Sequence, residues 1–400
     1  MMLPLTNPPK DYAWGSRTLI AALEGRPPSD APEAEVWFGD HPGGPALVGD
    51  GSGRTLDTVL AAGVEGAPER LPYLLKLLAA ASPLSIQVHP SKAQAIEGFA
   101  RETGLPADAP NRNYRDDNHK PELIVALSDT FEALCGLRPL AATRRLVGAL
   151  GQGLGPAALR ARLERPSGDA AIGGAEGEDA DILRDVIGWL LGGSADVEVA
   201  SLIDAIGSAE SVEFAAELAT TRRIASVYPG DPGVVVALLM NHVVLRRGEA
   251  VFLRAGLLHA YISGLGVELM AASDNVLRGG LTPKHVDVAE LLSVLDARPA
   301  VVPVVLPTSA EGASRGVEAF ATDAPDFELL RARVNPDSPA TVTLRGAAIA
   351  LVTAGTITVV GGHGDRTLRP GQAVFVTRDE SPVRLAGDGE VFIAQPGSPG

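Results

Sequence analysis

The chain has 400 residues, 46% of them apolar, and a formal net charge of -15 at pH 7. This length and apolar content allow a sizeable core and favour two or three domains over one. The acidic balance excludes a surface built for nucleic acid or for an anionic membrane, because both require clustered Lys and Arg.

The number of cysteines and the N-terminal residues further narrow the class of protein and its compartment. The single Cys135 excludes an internal disulfide and lies in an apolar run, so we predict a buried, inert thiol. Residues 1–9 lack the charged and then apolar order of a secretory signal, and no run reaches the about 18 uninterrupted apolar residues of a spanning helix. We therefore expect a cytoplasmic protein with neither nucleic acid nor a membrane as its partner.

The first 138 residues mix short strand-like runs with helical stretches. Residues 35–38 and 84–89 have the composition of strands, and residues 91–101 have that of a helix. Residues 139–223 have apolar positions three and four apart, which predicts an all-helical block. Within it, residues 165–181 are rich in Gly, Ala and acidic side chains without periodicity, so we predict an exposed, mobile loop.

Strand-like runs resume after the helical block, at residues 234–240, 242–245 and 250–253. The simplest interpretation is that the helical block is an insertion, so that residues 1–138 and 224–295 form one discontinuous catalytic β domain. A Pro-rich linker then opens a third unit, residues 296–400. Its short, regularly spaced strands predict an antiparallel sandwich or barrel.

A Gly turn before a short apolar strand occurs twice, at Gly248 and at Gly371. The first segment resembles the second motif of cupin jelly rolls, with Arg254 where that motif usually has Pro. The second resembles a cupin strand pair without metal ligands. We therefore predict a mainly β fold with a helical insertion: two cupin-like jelly rolls, the first split by an all-α domain and the second without metal.

A candidate metal site emerges from four scattered residues. Gln87 and His89 are two positions apart in a strand and so share a face. Glu122 stands at the mouth of a buried strand, and His259 ends a strand in an apolar run, where an unpaired imidazole is costly. Two imidazoles, a carboxylate and an amide oxygen suit zinc, with room for a further ligand. From the residues alone, separate structural roles for each side chain remain the alternative.

Six motifs then occur in the order of a known family. They are residues 12–16, 35–42, 75–90, 117–122, 256–261 and 273–284. Together they resemble the type I mannose-6-phosphate isomerases over most of the chain. The Gly-Asp pair before His41 and the acidic loop of the helical block depart from the family pattern, and neither touches the candidate ligands.

The resemblance implies a zinc-dependent aldose–ketose isomerase. It would interconvert mannose 6-phosphate and fructose 6-phosphate through an enediolate and feed mannose and GDP-mannose metabolism. It implies one zinc ion per chain with four ligands: Gln87, His89, Glu122 and His259. It also implies that Arg278 is an active-site residue and that three further residues line the pocket: Lys120, Asp274 and Lys284. The partner is then a hexose 6-phosphate, and we expect a monomer.

The carrier of the proton and the groups that bind phosphate stay open. Lys120 adjoins a metal ligand and is the first candidate for the base, with His119 and Asp274 as rivals and a surface ion pair as its structural alternative. Arg278 and Lys284 flank a Gly-Gly-Leu-Thr-Pro turn and are the predicted phosphate ligands. Ser85 shares a strand face with Gln87 and is either a hydroxyl donor or a packing residue.

Two other functional classes fit part of the pattern. Two His and one carboxylate also describe the metal triad of ferrous oxygenases, in which Gln87 would be a bystander. A sugar-binding sensor on the same fold would bind hexose phosphates without converting them. Metal analysis with oxygen consumption tests the first class, and conversion of mannose 6-phosphate tests the second.

Overall fold

The computed structural model of the chain describes residues 1–106, 108–164, 174–299, 301–311 and 313–397. It contains two antiparallel sheets of ten strands each, and a block of helices interrupts the sequence of the sheet that includes residues 73–137. The predicted mainly β fold with a helical insertion is confirmed.

The described residues before the helical block form seven strands and three helices. The strands are β1 (Met2–Thr6), β2 (Glu35–Phe38), β3 (Leu47–Val48), β4 (Tyr73–Ala80), β5 (Gln87–Val88), β6 (Glu122–Ala126) and β7 (Thr130–Leu137). The helices are α1 (Leu19–Leu23), α2 (Leu56–Ala61) and α3 (Lys92–Arg101). Helix α3 begins where predicted, because Ser91 caps it: its Oγ accepts from the Gln94 amide at 3.3 Å, and Gln94 Oε1 accepts from the Ser91 amide at 2.9 Å.

The inserted block is helical, with one correction within it and one after its predicted end. Its helices are α4 (Leu140–Gly148), α5 (Leu154–Leu163), α6 (Gly174–Leu191), α7 (Asp196–Ser208), α8 (Ala215–Val227) and α9 (Gly233–Leu239). The strand predicted at 234–240 is wrong, because α9 is buried on all sides and a continuous apolar run does not distinguish a buried helix from a strand. Of the predicted loop, residues 165–173 lie outside the described residues, and residues 174–181 belong to α6.

The remaining chain completes both sheets. Its elements are β8 (Met240–Arg246), β9 (Ala250–Leu253), β10 (His259–Ala271), β11 (Leu277–Arg278), α10 (Val288–Val294), β12 (Val304–Val305), β13 (Thr308–Ser309), β14 (Val317–Phe320), β15 (Glu328–Val334), β16 (Ala340–Val342), β17 (Ala348–Val360), β18 (Asp365–Leu368), β19 (Ala373–Val376) and β20 (Val383–Gln395). The predicted Gly turns are present, with φ of 87° at Gly248 and 83° at Gly371, a backbone region that favours glycine.

The two sheets do not follow the chain order. The C-terminal sheet runs β13-β14-β15-β20-β17-β19-β1-β3, so the N-terminal strand lies in it, with Met2 opposite Val376. In the other sheet, β10 is the hub and pairs with β4, β5, β6 and β7. The strands at residues 2–6 and 47–48 therefore pair outside the catalytic unit to which we assigned them, and the division into domains stays a prediction.

Two apolar clusters hold these units around the site. One contains residues from both sheets, among them Leu75, Val267, Phe375 and Phe392, so the β units share a core. The other is the core of the helical block, and it also contains strand residues next to the candidate ligands. Among the helices described, no single one is long and apolar enough to cross a membrane, although the bent pair Gly177–Leu191 and Asp196–Ser208 passes by length and composition.

A bend in β10 brings distant residues of one strand together. An extended strand would separate His259 and Glu268 by about 30 Å, yet both line one cavity of about 80 Å³. The register shifts between Tyr261 and Ser263, and Gly264 has a φ of 125°. A Cβ at Gly264 would stand 2.9 Å from the Phe131 Cα, so the bend requires glycine.

Candidate metal centre and active site

Because side chains alternate along a strand, Gln87 points into the cavity of about 80 Å³ described above. Its neighbours Ile86 and Val88 are fully buried in the core of the helical block, whereas Gln87 lines the cavity. Gln87 pairs with His259 on one side and with Arg278 on the other. The Gln87 side-chain amide donates to Ser85 Oγ at 3.2 Å, which leaves its amide oxygen as a possible metal ligand.

Glu122 lies between the two candidate histidines. Its Oε1 is 3.3 Å from His89 Nε2, and its Oε2 is 3.4 Å from His259 Nε2. All three side chains are at least 95% buried, and their ligand atoms lie within 4.8 Å of one another. The structure therefore brings these three proposed ligands together, and their assignment to a metal stays a prediction.

The hydrogen bonds of the two imidazoles leave Nε2 of each ring as the unprotonated nitrogen. His89 Nδ1 lies 2.7 Å from the Asn275 carbonyl oxygen, and His259 Nδ1 lies 2.9 Å from that of Leu257. A carbonyl accepts a hydrogen bond, so each Nδ1 carries the proton of a neutral ring and each Nε2 offers its lone pair. Burial lowers the pKa of His89 to about 4, which keeps this ring neutral. His89 Nε2 has no hydrogen-bond partner among the described residues.

These lone pairs face a carboxylate, an arrangement that a cation would stabilise. Two Nε2 atoms and two carboxylate oxygens would repel one another without a positive charge among them. Nitrogen and oxygen donors of this kind are the ligands that zinc takes in proteins, each imidazole being oriented by a carbonyl on its other nitrogen. The residues present therefore fit a divalent metal ion.

The same cavity holds buried charges that sequence reasoning missed. Lys76 Nζ lies 2.9 Å from Glu268 Oε2 and 3.7 Å from Glu35 Oε1, and all three side chains are buried. Burial acts to lower the pKa of Lys76, but these carboxylates outweigh it and raise the pKa above its usual value. With Lys120 and Glu122, the cavity has three carboxylates against two ammonium groups, so a divalent ion would leave it with one net positive charge.

Lys120 reaches into the cavity, while its neighbour His119 does not line it. Lys120 Nζ is 3.0 Å from Glu122 Oε1, and its side chain is largely buried. His119 Nε2 instead lies 2.6 Å from Asp326 Oδ2, a residue of the segment that precedes β15 in the C-terminal unit. The backbone thus presents two adjacent candidates for the base to different surroundings, and only Lys120 joins the proposed ligands.

The link between His119 and Asp326 yields a first prediction. We expect Asp326→Ala to lower kcat about ten-fold with a smaller change in KM, because the segment that carries Lys120 and Glu122 loses its tie to the C-terminal unit. Steady-state kinetics measures both constants. Asp323→Ala removes an exposed carboxylate three residues away and is the matched control. An unchanged kcat in the Asp326 variant would show that the tie is dispensable.

Asp274 lies in a neighbouring cavity of about 200 Å³. Its Oδ1 is 3.3 Å from His41 Nε2, while His41 Nδ1 accepts from the Gly43 amide at 3.1 Å, so the proton of a neutral His41 sits on Nε2 and faces Asp274. Burial acts to raise the pKa of Asp274, and the His41 hydrogen bond and nearby Lys120 outweigh it and lower the pKa. Asp274 is thus an ionised group near Lys120 and outside the ligand cluster.

A third cation accompanies the two predicted phosphate ligands. Burial lowers the pKa of Arg278, and the charge of Arg115 lowers it further. The pKa of Lys284 is lowered by burial, by Arg278 and by Arg115. The charges of these three side chains thus act on one another. Arg115 was missed, because it stands in a charged run without a motif of its own.

A second group of possible ligands lies far along the chain, at His363, Asp379 and Glu380. The Met1 ammonium group is 2.8 Å from Glu380 Oε1 and 3.3 Å from Asp379 Oδ2. The Met1 ammonium group therefore supplies one positive charge to these two carboxylates.

The chain is similar in sequence and in structure to known isomerases. The model of the phosphomannose isomerase type I catalytic domain matches residues 2–140. The chain is 36% identical to the mannose-6-phosphate isomerase of Escherichia coli K12 over 98% of both chains, and 31% identical to that of Rattus norvegicus over 95% of this chain and 94% of the other. A solved point mutant of phosphomannose isomerase from Salmonella typhimurium superposes with a TM-score of 0.86 at 31% identity over 99% of both chains. A mannose 6-phosphate isomerase solved with bound zinc and yttrium gives 0.85 at 31% identity, also over 99% of both chains.

Proposed function

The chain belongs to the type I mannose-6-phosphate isomerases, and on that premise we propose that Gln87, His89, Glu122 and His259 hold one zinc ion per chain for its aldose–ketose isomerisation. The observation that carries this is the pair of unprotonated Nε2 atoms turned towards Glu122. Zinc in a solved relative at 31% identity supports the choice of ion.

The reaction moves a carbonyl between C1 and C2 of a hexose phosphate. A proton leaves one of these carbons and returns to the other, with an enediolate between the two steps. The bound ion would act as a Lewis acid that stabilises negative charge on the sugar oxygens. Lys76 adds fixed positive charge in a buried cavity, where it acts on developing charge more strongly than in water.

Lys120 is the residue that we propose as carrier of the proton. Its Nζ lies in the cavity beside Glu122. The rival His119 is engaged by Asp326, and Asp274 lines the neighbouring cavity, where it is suited to binding sugar hydroxyl groups. A Lys120→Ala variant that keeps normal proton exchange at C2 would exclude this role.

Arg278 and Lys284, with Arg115 beside them, are the proposed phosphate ligands. The Ser85 hydroxyl faces the cavity beside Gln87 and accepts its amide hydrogen bond, so a role in substrate contact is the weaker part of this proposal. Arg278 pairs with Gln87, and the charges of Arg115 and Arg278 act on Lys284. Three cations match a dianionic phosphate, which binds guanidinium groups through charge-assisted hydrogen bonds.

The phosphate assignment makes a second prediction. We expect Lys284→Ala to raise KM for mannose 6-phosphate about ten-fold with little change in kcat, because the phosphate is bound equally in ground and transition states. Initial rates over a range of substrate concentration measure the split. Arg315→Ala removes one exposed positive charge from the C-terminal unit and is the control. A fall in kcat at constant KM would contradict the assignment.

The third prediction concerns removal of the metal, which distinguishes an isomerase from an oxygenase and from a sensor. We expect purified protein to convert mannose 6-phosphate to fructose 6-phosphate, to lose this activity with a chelator, and to regain it with zinc. A ferrous oxygenase would instead require iron and consume oxygen. A sensor would bind the sugar phosphate without converting it. Full turnover by metal-free protein would overturn the proposal.

The cellular setting completes the proposal. We expect the chain to act as a cytoplasmic monomer on hexose 6-phosphates and to feed mannose and GDP-mannose metabolism. The net charge of -15 supports a small-molecule substrate over nucleic acid, because basic side chains gather only locally. Light scattering on the purified protein tests the monomer.

A further inference from the structure

A groove of about 520 Å³ lies where the catalytic β unit meets the C-terminal β unit. Residues 66–72, which lead into β4, form one side, and residues 345–347 with Arg378 and Pro396 form the other. Among the described residues that line it, three are charged, and all three are arginines: Arg70, Arg345 and Arg378. A lining with three cations and no carboxylate reverses the sign of a chain whose net charge is -15.

Two of these arginines are oriented by carboxylates that do not line the groove. Arg70 Nε is 2.9 Å from Asp40 Oδ2, and Arg345 Nη1 is 3.3 Å from Glu328 Oε1. A guanidinium group has five N–H donors, so one carboxylate contact orients it without exhausting it. Such anchoring reduces the side-chain entropy that a ligand would otherwise have to overcome.

Arg378 is held by its backbone and exposed at its side chain. Its amide donates to the Gly66 carbonyl at 3.0 Å, which ties the two sides of the groove together. Among the residues that the structure describes, the Arg378 side chain has no ion-pair partner. The groove therefore contains two oriented guanidinium groups and a third without an ion-pair partner in the described part of the chain.

The walls of the groove are apolar and stiff. They consist of small and cyclic residues: Ala67, Pro68, Pro72, Ala347 and Pro396. Pro396 closes on Gly346, where a Cβ would stand 2.9 Å from the proline ring. The volume lies in the range of about 300–1,000 Å³ that small-molecule sites occupy. A ligand with several negative charges and an uncharged flat portion matches both the arginines and the walls.

We propose that this groove binds the diphosphate group of a small molecule, at a site that shares Arg70 with the cavity of Asp274 and is separate from the metal ligands. A diphosphate carries about three negative charges near neutral pH and offers oxygens to several guanidinium forks at once. Inorganic pyrophosphate and a nucleoside diphosphate share this chemistry. The apolar walls favour the nucleoside diphosphate, because its base can pack against the prolines.

Calorimetric titration of the zinc-loaded protein with pyrophosphate and with ADP tests the proposal, in the presence of saturating mannose 6-phosphate. We expect one site per chain for each probe, with inorganic phosphate binding more weakly. The double variant Arg345→Ala/Arg378→Ala should weaken binding about ten-fold or more. Arg369→Ala/Arg384→Ala removes the same charge from exposed positions of the same unit and should bind like the parent.

The possible outcomes distinguish the two ligands and include the results that would contradict the proposal. Tighter binding of ADP than of pyrophosphate assigns the walls to the nucleoside, and equal binding assigns the site to the diphosphate alone. No binding, or equal losses in the two double variants, would overturn the proposal. The isomerase rate of each variant reports its folding, and Arg378→Ala alone, which breaks no ion pair among the described residues, keeps the test open if the double variant fails to fold.

Discussion

The Glu122→Gln variant is expected to lose tight zinc binding and to lower kcat about a thousand-fold, a loss of several kcal/mol of transition-state stabilisation. Glu122 is the carboxylate that approaches both His89 and His259, at 3.3 and 3.4 Å. The amide keeps the shape of the side chain but removes the negative charge that offsets a divalent ion. Metal analysis after dialysis and steady-state kinetics measure the two losses.

Glu97→Gln, at an exposed position of α3, is the matched control for this substitution. The variant also removes the partner of Lys120, whose Nζ is 3.0 Å from Glu122 Oε1. Denaturation of metal-free wild type and metal-free variant separates a folding defect from the loss of a ligand. A variant that keeps one zinc ion per chain and normal turnover would refute the ligand assignment.

The second large effect concerns stability. We expect Lys76→Met to lower the free energy of unfolding by about 3–5 kcal/mol, because Glu268 and Glu35 would remain buried without their counter-charge. Lys76 lies directly opposite Glu268 in the pairing of β4 with β10. Urea denaturation followed by circular dichroism measures the loss.

A double variant tests the cause of that loss. Lys76→Met/Glu268→Gln removes the charges of the closer pair, and we expect it to recover part of the stability, because only the more distant Glu35 then lacks its counter-charge. A double variant no more stable than Lys76→Met would show that shape, and not charge, dominates at this position. Metal-free protein serves for all these measurements, so that zinc binding does not contribute.

Part of this site could be predicted from the sequence alone, because it depends on residues that are close together in the chain. Side chains two positions apart in a strand share a face, so Gln87 and His89 could be paired without a structure. The buried Lys76 and Glu268 were missed although a signal existed. Each is a single charge inside an apolar run, and a buried charge is costly unless it is paired.

Other residues carried no local signal. The valine run of α9 is equally apolar as a helix or as a strand, and only its packing in the helical core selects the helix. His119 and Lys120 are adjacent and both polar, and only the tertiary structure shows that Lys120 lines the cavity while His119 lies beside Asp326. The three arginines of the groove are up to 308 residues apart, so no sequence window contains them all.

The proposed metal ligands thus fall into those that the sequence could pair and those that only the tertiary structure brings together. The sequence by itself determined which residue types were available, and strand periodicity put Gln87 and His89 on one face. Tertiary structure alone decided that Glu122 stands between His89 and His259, and that β10 bends at Gly264 so that Glu268 returns to the same cavity. The physical reason is that side-chain periodicity is a local property of the backbone, whereas strand register and a bend are set by long-range packing.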